Sequence, residues 1–212
     1  MKKFYLEEPS LERINDVKEY IEEHLKYNSS PHGTSGLDKE YLNYENWLHK
    51  MELLSYLETC PNNLCPGREY FLIRESDNKL IGMINLRWNL NEWMPTNGGH
   101  IGYGIRPTER RKGYNKISLY LCLLKAKEIG LDKVLLTASD NNLGSIKTIQ
   151  ALGGVLENKI TDYEDKNILM GRYWINVDES IEKYKEEYEK YIQERKDNYD
   201  YRIYKRRNNK IK

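Results

Sequence analysis

No apolar run in the 212 residues approaches the roughly 20 positions that a membrane-spanning helix requires. The opening MKKFYLEEPS carries acids where a secretory signal needs its apolar stretch, so a cytoplasmic protein is expected. Cysteine is scarce and odd in number. Cys60 and Cys65 are separated by four residues rather than two, and no histidine pair accompanies them or Cys122 at ligand spacing, which argues for three free thiols and no metal. Charge of one sign is also missing: 34 basic against 33 acidic side chains leave a net charge of +1. Nothing global therefore favours nucleic acid or an anionic membrane as partner, and any electrostatic steering must be local. Two phosphate motifs are absent as well. There is no G-x-x-x-x-G-K-[ST], and Gly102-Tyr103-Gly104 lacks the third glycine and the immediate helix start of a dinucleotide fingerprint.

What is present is a chain long for one small domain and short for two, with 39% hydrophobic and 32% charged residues. One domain over residues 1–177 with an appended charged helix and basic tail over 178–212 is expected. Residues 3–7 alternate and stop at Pro9. Ser10 stands as an N-cap with Arg13 in the box position, and Leu11, Ile14, Val17, Tyr20, Ile21 and Leu25 recur at helical spacing. SSPHGTSG, residues 29–36, is a loop. Leu37 to Leu57 reads as a second helical region with Leu42, Trp47, Leu48, Met51 and Leu54 on one side.

The period then changes to two. Residues 69–74 and 80–90 form a hairpin around Ser76-Asp77-Asn78, and a loop over 91–99 leads to a strand over 100–105. A third helix closes at Gly130, residues 133–138 read as a buried strand, Asn142 to Leu152 as a fourth helix, and two strands follow at about 155–161 and 167–176. This order argues for an α/β sandwich in which the strands on either side of the third helix are parallel neighbours.

The segment IGYGIRPTERRKGYN, residues 101–115, joins a glycine-spaced strand, a cationic turn and a helix start. A helix N-terminus presents unpaired N–H groups and the positive end of the macrodipole, and Arg106, Arg110, Arg111 and Lys112 add formal charge beside it. Taken alone, a run of this kind reads first as a solvated basic turn.

The element order, the Arg110-Arg111-Lys112-Gly113-Tyr114-Asn115 turn, Asn142-x-x-Ser145 and Gly153-Gly154 together resemble the GNAT superfamily of acyl-CoA-dependent N-acetyltransferases, over roughly residues 1–176. The run GGHIGYGIRPTERRKGY, with GGVLEN and RYWI, is most similar to a bacterial branch described only as predicted acetyltransferases. The resemblance implies a mixed, partly parallel sheet of six or seven strands flanked by helices on both faces, with a C-terminal helix. It implies acetyl-CoA as co-substrate, its pyrophosphate on the amides of residues 110–115 and its pantetheine along the strand amides of Tyr103 and Ile105. Asn115 stands where the family has a small residue, so its side chain either turns outward or adds a phosphate contact. Asn142 matches the family Asn that contacts pantetheine, although plain helix capping explains it equally. Seven residues on, where the family commonly has a Tyr that protonates the departing thiolate, this chain has Ile149. A thiol pKa near 8.5 lets the thiolate leave without that acid, and Ser145 or water could assist.

An ammonium acceptor must lose a proton before it attacks, and His100, Glu92 and Tyr103 are the candidates for that chemistry. His100 and Tyr103 fall on opposite faces of a regular strand, so a bulge would be needed to bring both to the acetyl group. Gly102 and Gly104 suit either close approach of a ligand or a kink. Trp47, Trp88 and Trp93 could wall an amine pocket or be core, and Arg87 could hold a substrate carboxylate or be an edge residue. In the tail, Ile181, Tyr184, Tyr188, Tyr191 and Ile192 form an apolar stripe that would pack on the sheet, pair a homodimer, or fray. Two functions remain. One is acetyl transfer to a primary amine of a small molecule or peptide by direct attack. The alternative is a catalytically weak CoA-binding or RNA-contacting protein.

Overall fold

The computed structural model describes residues 1–92, 94, 98–162 and 165–193; Trp93 and the basic end of the tail lie outside the described residues. Phe4–Glu7 (β1), Gly67–Arg74 (β2), Lys79–Arg87 (β3) and Ile101–Ile105 (β4) form an antiparallel sheet in that order. The hairpin expected between β2 and β3 closes at Asn78. Both faces of β2 are buried because helices cover the sheet on both sides. On one side Phe71, Ile73, Leu80 and Met83 pack against Val17, Tyr20 and Ile21 of α1 (Ile14–Lys26) and Trp47 and Met51 of α3 (Tyr44–Leu54), with Leu37 of the one-turn α2 (Leu37–Glu40) in the same cluster. On the other, Leu72, Ile84 and Leu86 meet Leu119, Tyr120 and Leu123 of α4 (Tyr114–Glu128).

Lys133–Ser139 (β5), Val155–Thr161 (β6) and Leu169–Asn176 (β7) form a second antiparallel sheet in the order β5-β7-β6, and Leu143–Ala151 (α5) connects β5 to β6. This corrects the expectation of one partly parallel sheet of six or seven strands: the strands divide four and three, and every ladder is antiparallel. Among the described residues β4 and β5 are joined where β4 begins, by a bridge between Gly99 and Leu136, a hydrogen bond from the His100 N–H to the Leu135 carbonyl (2.7 Å) and one from the Leu135 N–H to His100 Nδ1 (2.9 Å). Beyond that point they part. An apolar run such as Val134–Leu136 reports burial of both faces, and it carries no information on the direction of the neighbour.

Four local readings also change. Ser10 stands at an N-cap position but its side chain caps nothing, and Arg13 is instead buried between Glu7 (2.6 Å) and Asp16 (2.8 Å). The buried stripe of α1 is Val17, Tyr20, Ile21 and His24, while Leu11, Ile14 and Leu25 face solvent. The second helical region breaks at residues 41–43, leaving Leu42 exposed. The tail forms α6 (Val177–Tyr188), whose stripe finds its surface within the chain: Ile181 and Tyr188 are buried, and the Tyr188 ring stacks on Tyr120 at 5.2 Å. Among the described residues no helix is long and apolar enough to cross a membrane.

Candidate active site

β4 and the turn that follows it build one end of the site. Hydrogen bonds from the Arg106 N–H to the Ile81 carbonyl (3.0 Å) and from the Arg87 N–H to the His100 carbonyl (2.7 Å) set the antiparallel register, so even-numbered backbone groups of β4 face β3. The N–H groups of Tyr103 and Ile105 therefore point into the gap that opens toward β5. An amide-rich chain can add to such an edge as an extra strand does. The Ile105 carbonyl already accepts a hydrogen bond from Arg110 Nε at 3.0 Å.

After a single turn of 3₁₀ helix at Pro107–Glu109, Arg111 and Gly113 both adopt left-handed backbone, with φ of 62° and 81°. Alternating such residues turns successive N–H groups to one side. α4 begins at Tyr114, so the amides of residues 111–115 precede the first intrahelical bonds. A Cβ placed on Gly113 would meet nothing within 4 Å, so the chain is uncovered on that side of the turn. The arrangement fits an anion.

The four cations of the turn do not share one task. Arg106 is buried and bound to Glu23 of α1, with Nε and Nη2 both 2.7 Å from Oε2. The other oxygen of Glu23 accepts from the Thr108 N–H and hydroxyl, both at 2.9 Å. Burial alone would raise the Glu23 pKa, but the hydrogen bonds from Thr108 and Arg106 outweigh it and hold the carboxyl below its ordinary value. Lys112 is exposed, with its Nζ 2.8 Å from Glu109, and Glu109 is buried against Arg74 at 3.0 Å. Arg110 reaches Ser29 Oγ at 2.7 Å, and Arg111 is exposed with no ion pair among the described residues. The Tyr114 ring packs on Phe4 at 4.7 Å, so only its amide faces the site. The Oδ1 of Asn115 is buried without a hydrogen bond among the described residues.

Across the gap, Asn142 caps α5 by accepting the Ser145 N–H at 3.0 Å. Tyr103 extends from β4 to the same turn, its hydroxyl 2.9 Å from Ser145 Oγ and 3.3 Å from the Ser145 carbonyl. Burial pushes the Tyr103 phenol pKa up, keeping it protonated. Ile149 is fully buried, so the helix presents no acid one turn further on.

His100 is placed differently from a free base. Its Nδ1 accepts the Leu135 N–H at 2.9 Å, and burial, reinforced by the nearby Arg87 charge, lowers its pKa to about 4. It completes the seam between β4 and β5. Glu92 is exposed in the loop before β4. Trp47 belongs to the core, stacked between Tyr44 and Phe71.

The glycines of β4 face the loop that follows α1. A Cβ on Gly104 would lie 2.5 Å from the His32 carbonyl oxygen, so the small residue admits the loop backbone rather than a ligand. The same sheet face carries a carboxylate that the reading of the sequence missed. Glu69 is 2% exposed, accepts the Ser35 hydroxyl at 2.7 Å, and lies near the Asn85 amide, yet its Oε1 makes no hydrogen bond. Burial drives its pKa up to about 8 against the smaller opposing effects of Ser35 and Arg87. Its parity with Phe71 and Ile73 was the available signal, since an acid at an inward strand position requires an explanation.

The family model described as Acetyltransferase (GNAT) family matches residues 25–153. No curated protein matches the chain. Among solved structures, a chimera of the spermidine N-acetyltransferase SpeG from Vibrio cholerae and hSSAT is similar at 14% identity and TM-score 0.60, covering 84% of this chain and 98% of that one. The Microcin C7 self immunity acetyltransferase MccE, in complex with acetyl-CoA and AMP, is similar at 14% identity and TM-score 0.61, covering 82% and 92%. The ribosomal-protein-S5-alanine acetyltransferase from Vibrio fischeri is similar at 17% identity and TM-score 0.56, covering 84% and 95%. These likenesses report the fold. With the family match spanning most of the chain, the protein belongs to the GNAT acetyltransferase family, the acetyl-CoA-dependent N-acetyltransferases.

Proposed function

We propose that the chain moves an acetyl group from acetyl-CoA to a primary amine by direct attack within a ternary complex. The observation that carries this reading is the pairing of an anion-binding turn at residues 111–115 with an outward amide edge on β4. The turn suits the pyrophosphate of CoA, with Arg110, Arg111 and Lys112 at its rim. The β4 edge suits pantetheine, and an amide there is placed to stabilise the oxyanion that forms when the amine attacks the thioester carbon. Asn142 and Ser145 line the opposite side. Collapse of the tetrahedral intermediate breaks the carbon–sulfur bond. The thiolate then takes a proton from the Tyr103 hydroxyl, which Ser145 supports. The ammonium gives up one proton through water to Glu92 before it attacks, and the second proton, released from nitrogen as the amide forms, restores the Tyr103 hydroxyl. His100, committed to Leu135, holds the strand in place.

Release of thiol from acetyl-CoA over an amine panel, with calorimetry of CoA binding, tests the reading. Thiol release dependent on both substrates is expected. CoA binding with no amine ever releasing thiol would instead favour a CoA-binding protein without turnover. Absence of CoA binding would overturn the donor site itself.

A further inference from the structure

The face of the first sheet opposite α4 ends in a polar cluster for which the transfer chemistry has no use. Register places Arg87 across from His100, and Glu69 across from Asn85, which is in turn across from Gly102. Parity puts these side chains on one face with Phe71 and Met83, at the end of the sheet where β4 starts. Glu69, Asn85 and His100 are all buried. The Arg87 stem crosses Gly67, where a Cβ would meet its Cγ at 3.2 Å.

The Arg87 guanidinium carries five N–H donors. One is used, from Nη1 to the Gly99 carbonyl at 3.3 Å, and no carboxylate among the described residues pairs with it. Arg68, on the neighbouring strand, shows the contrast, with a Glu8 oxygen 2.8 Å from its Nη1. Desolvation lowers the Arg87 pKa from its usual value, with Glu69 opposing. Its other donors have no partner among the described residues and remain open to a ligand. Its surroundings are electrically suited to an anion. His100 is neutral well above its pKa of about 4, and Glu69, facing the Ser35 hydroxyl and Asn85, holds its proton up to about 8. At neutral pH the charge of the cluster is that of Arg87.

We propose that Arg87 is the anchor for a carboxylate carried by the acceptor, so that the amine acetylated is the amino group of an amino acid. The inference rests on the acetyl-transfer reading. The Arg87 tip, at the Gly99 carbonyl, is four residues from Tyr103 along the chain, roughly 13 Å at the usual rise. A carboxylate held in the bidentate manner at the tip of Arg87 leaves the rest of the amino acid to span the distance to the gap where the β4 amides point, which favours an amine several atoms from the carboxylate. Acceptors without the carboxylate leave the donors unpaired, which is the stronger route to discrimination.

The test is a panel of free amino acids, each beside its carboxamide and its decarboxylated amine, in the thiol-release assay. For the preferred acceptor, kcat/KM should exceed that of its carboxamide on the order of 100-fold. Arg87→Gln should raise the KM for the amino acid by a similar factor while leaving the acetyl-CoA KM unchanged and the rate with the plain amine unchanged or higher. Arg87→Lys should restore part of the loss. Equal turnover of acid, amide and amine by the wild type overturns the inference, as does an equal loss on all three in Arg87→Gln. If no acceptor releases thiol, thermal shifts of the CoA-loaded protein decide. A free amino acid must then raise Tm in the wild type but not in Arg87→Lys or Arg87→Gln, and the absence of any such shift rejects the anchor. The donor site is judged separately by CoA calorimetry, so the two readings fail independently.

Discussion

The hydroxyl of Tyr103 on β4 lies 2.9 Å from Ser145 Oγ on α5, spanning the gap where the two sheets part. A strand tyrosine thus brings a phenol to the helix turn whose later position holds Ile149. Tyr103→Phe removes the proposed proton donor and leaves the ring. With a thiol leaving group of pKa near 8.5, the loss falls below the 100-fold that general acids typically contribute, so kcat should drop about tenfold. Stability should fall by about 1 kcal/mol, the worth of one hydrogen bond. Unchanged kcat in a folded Tyr103→Phe protein would remove the hydroxyl from the chemistry.

Gly113 and Arg111 share a left-handed backbone but separate geometry from charge. Gly113→Ala meets no neighbour, so its cost is backbone strain of about 1–2 kcal/mol, equivalent to roughly 2–8 °C in Tm for a chain of this size. CoA affinity should fall as the amides shift. Arg111→Gly relieves the same strain while removing a cation, so it should weaken CoA binding, more steeply at low salt, with Tm unchanged or higher. Calorimetry and thermal melts on the pair check both outcomes, and a lower Tm for Arg111→Gly would contradict the strain argument.

The elements were legible where period and punctuation agree: the β2–β3 hairpin from its alternation and Asn78, α4 from its Gly113 entry, α5 from its Asn142 cap. What stayed hidden depends on partners distant in the chain. Arg106 reads as a phosphate ligand until Glu23, 83 residues earlier, takes its guanidinium. Lys112 meets Glu109 only because the turn folds back on Arg74. Leu25 reads as core on the α1 wheel, but it is exposed while His24 beside it is buried. The separation of β4 and β5 into different sheets involves residues more than 30 positions apart, which no local pattern encodes.

Glu69 and His100 give stability opposite pH dependences. The folded pKa of Glu69, about 8, is raised above the ordinary carboxyl value, so its contribution is complete below about pH 4.5 and is lost as pH rises through 8. His100, with a folded pKa of about 4 against 6.5, contributes fully above pH 6.5 and loses that contribution as pH falls toward 4. Glu69→Gln should flatten the decline in Tm between pH 5 and 8, and His100→Asn the decline between pH 6.5 and 4. A Glu69→Gln protein with the wild-type alkaline slope would show that the carboxyl titrates in its ordinary range.

Gly104 and Gly102 differ in what lies over them. A Cβ on Gly104 would stand 2.5 Å from the His32 carbonyl oxygen, a backbone atom that moves only if the whole loop moves, whereas on Gly102 it would meet the Asn85 side chain at 3.2 Å. Gly104→Ala should therefore cost about 1–3 kcal/mol as an overpacked contact, and Gly102→Ala less than about 1.5 kcal/mol. The displaced segment, residues 29–36, also supplies Ser35 to Glu69 and Ser29 to Arg110. Lifting it should raise the KM of the acceptor more than that of acetyl-CoA, because the turn at residues 111–115 keeps its own anchors in Glu23 and Glu109. If Gly104→Ala instead raised the acetyl-CoA KM alone, the loop would belong to the donor side, and the glycine would be there for the ligand after all.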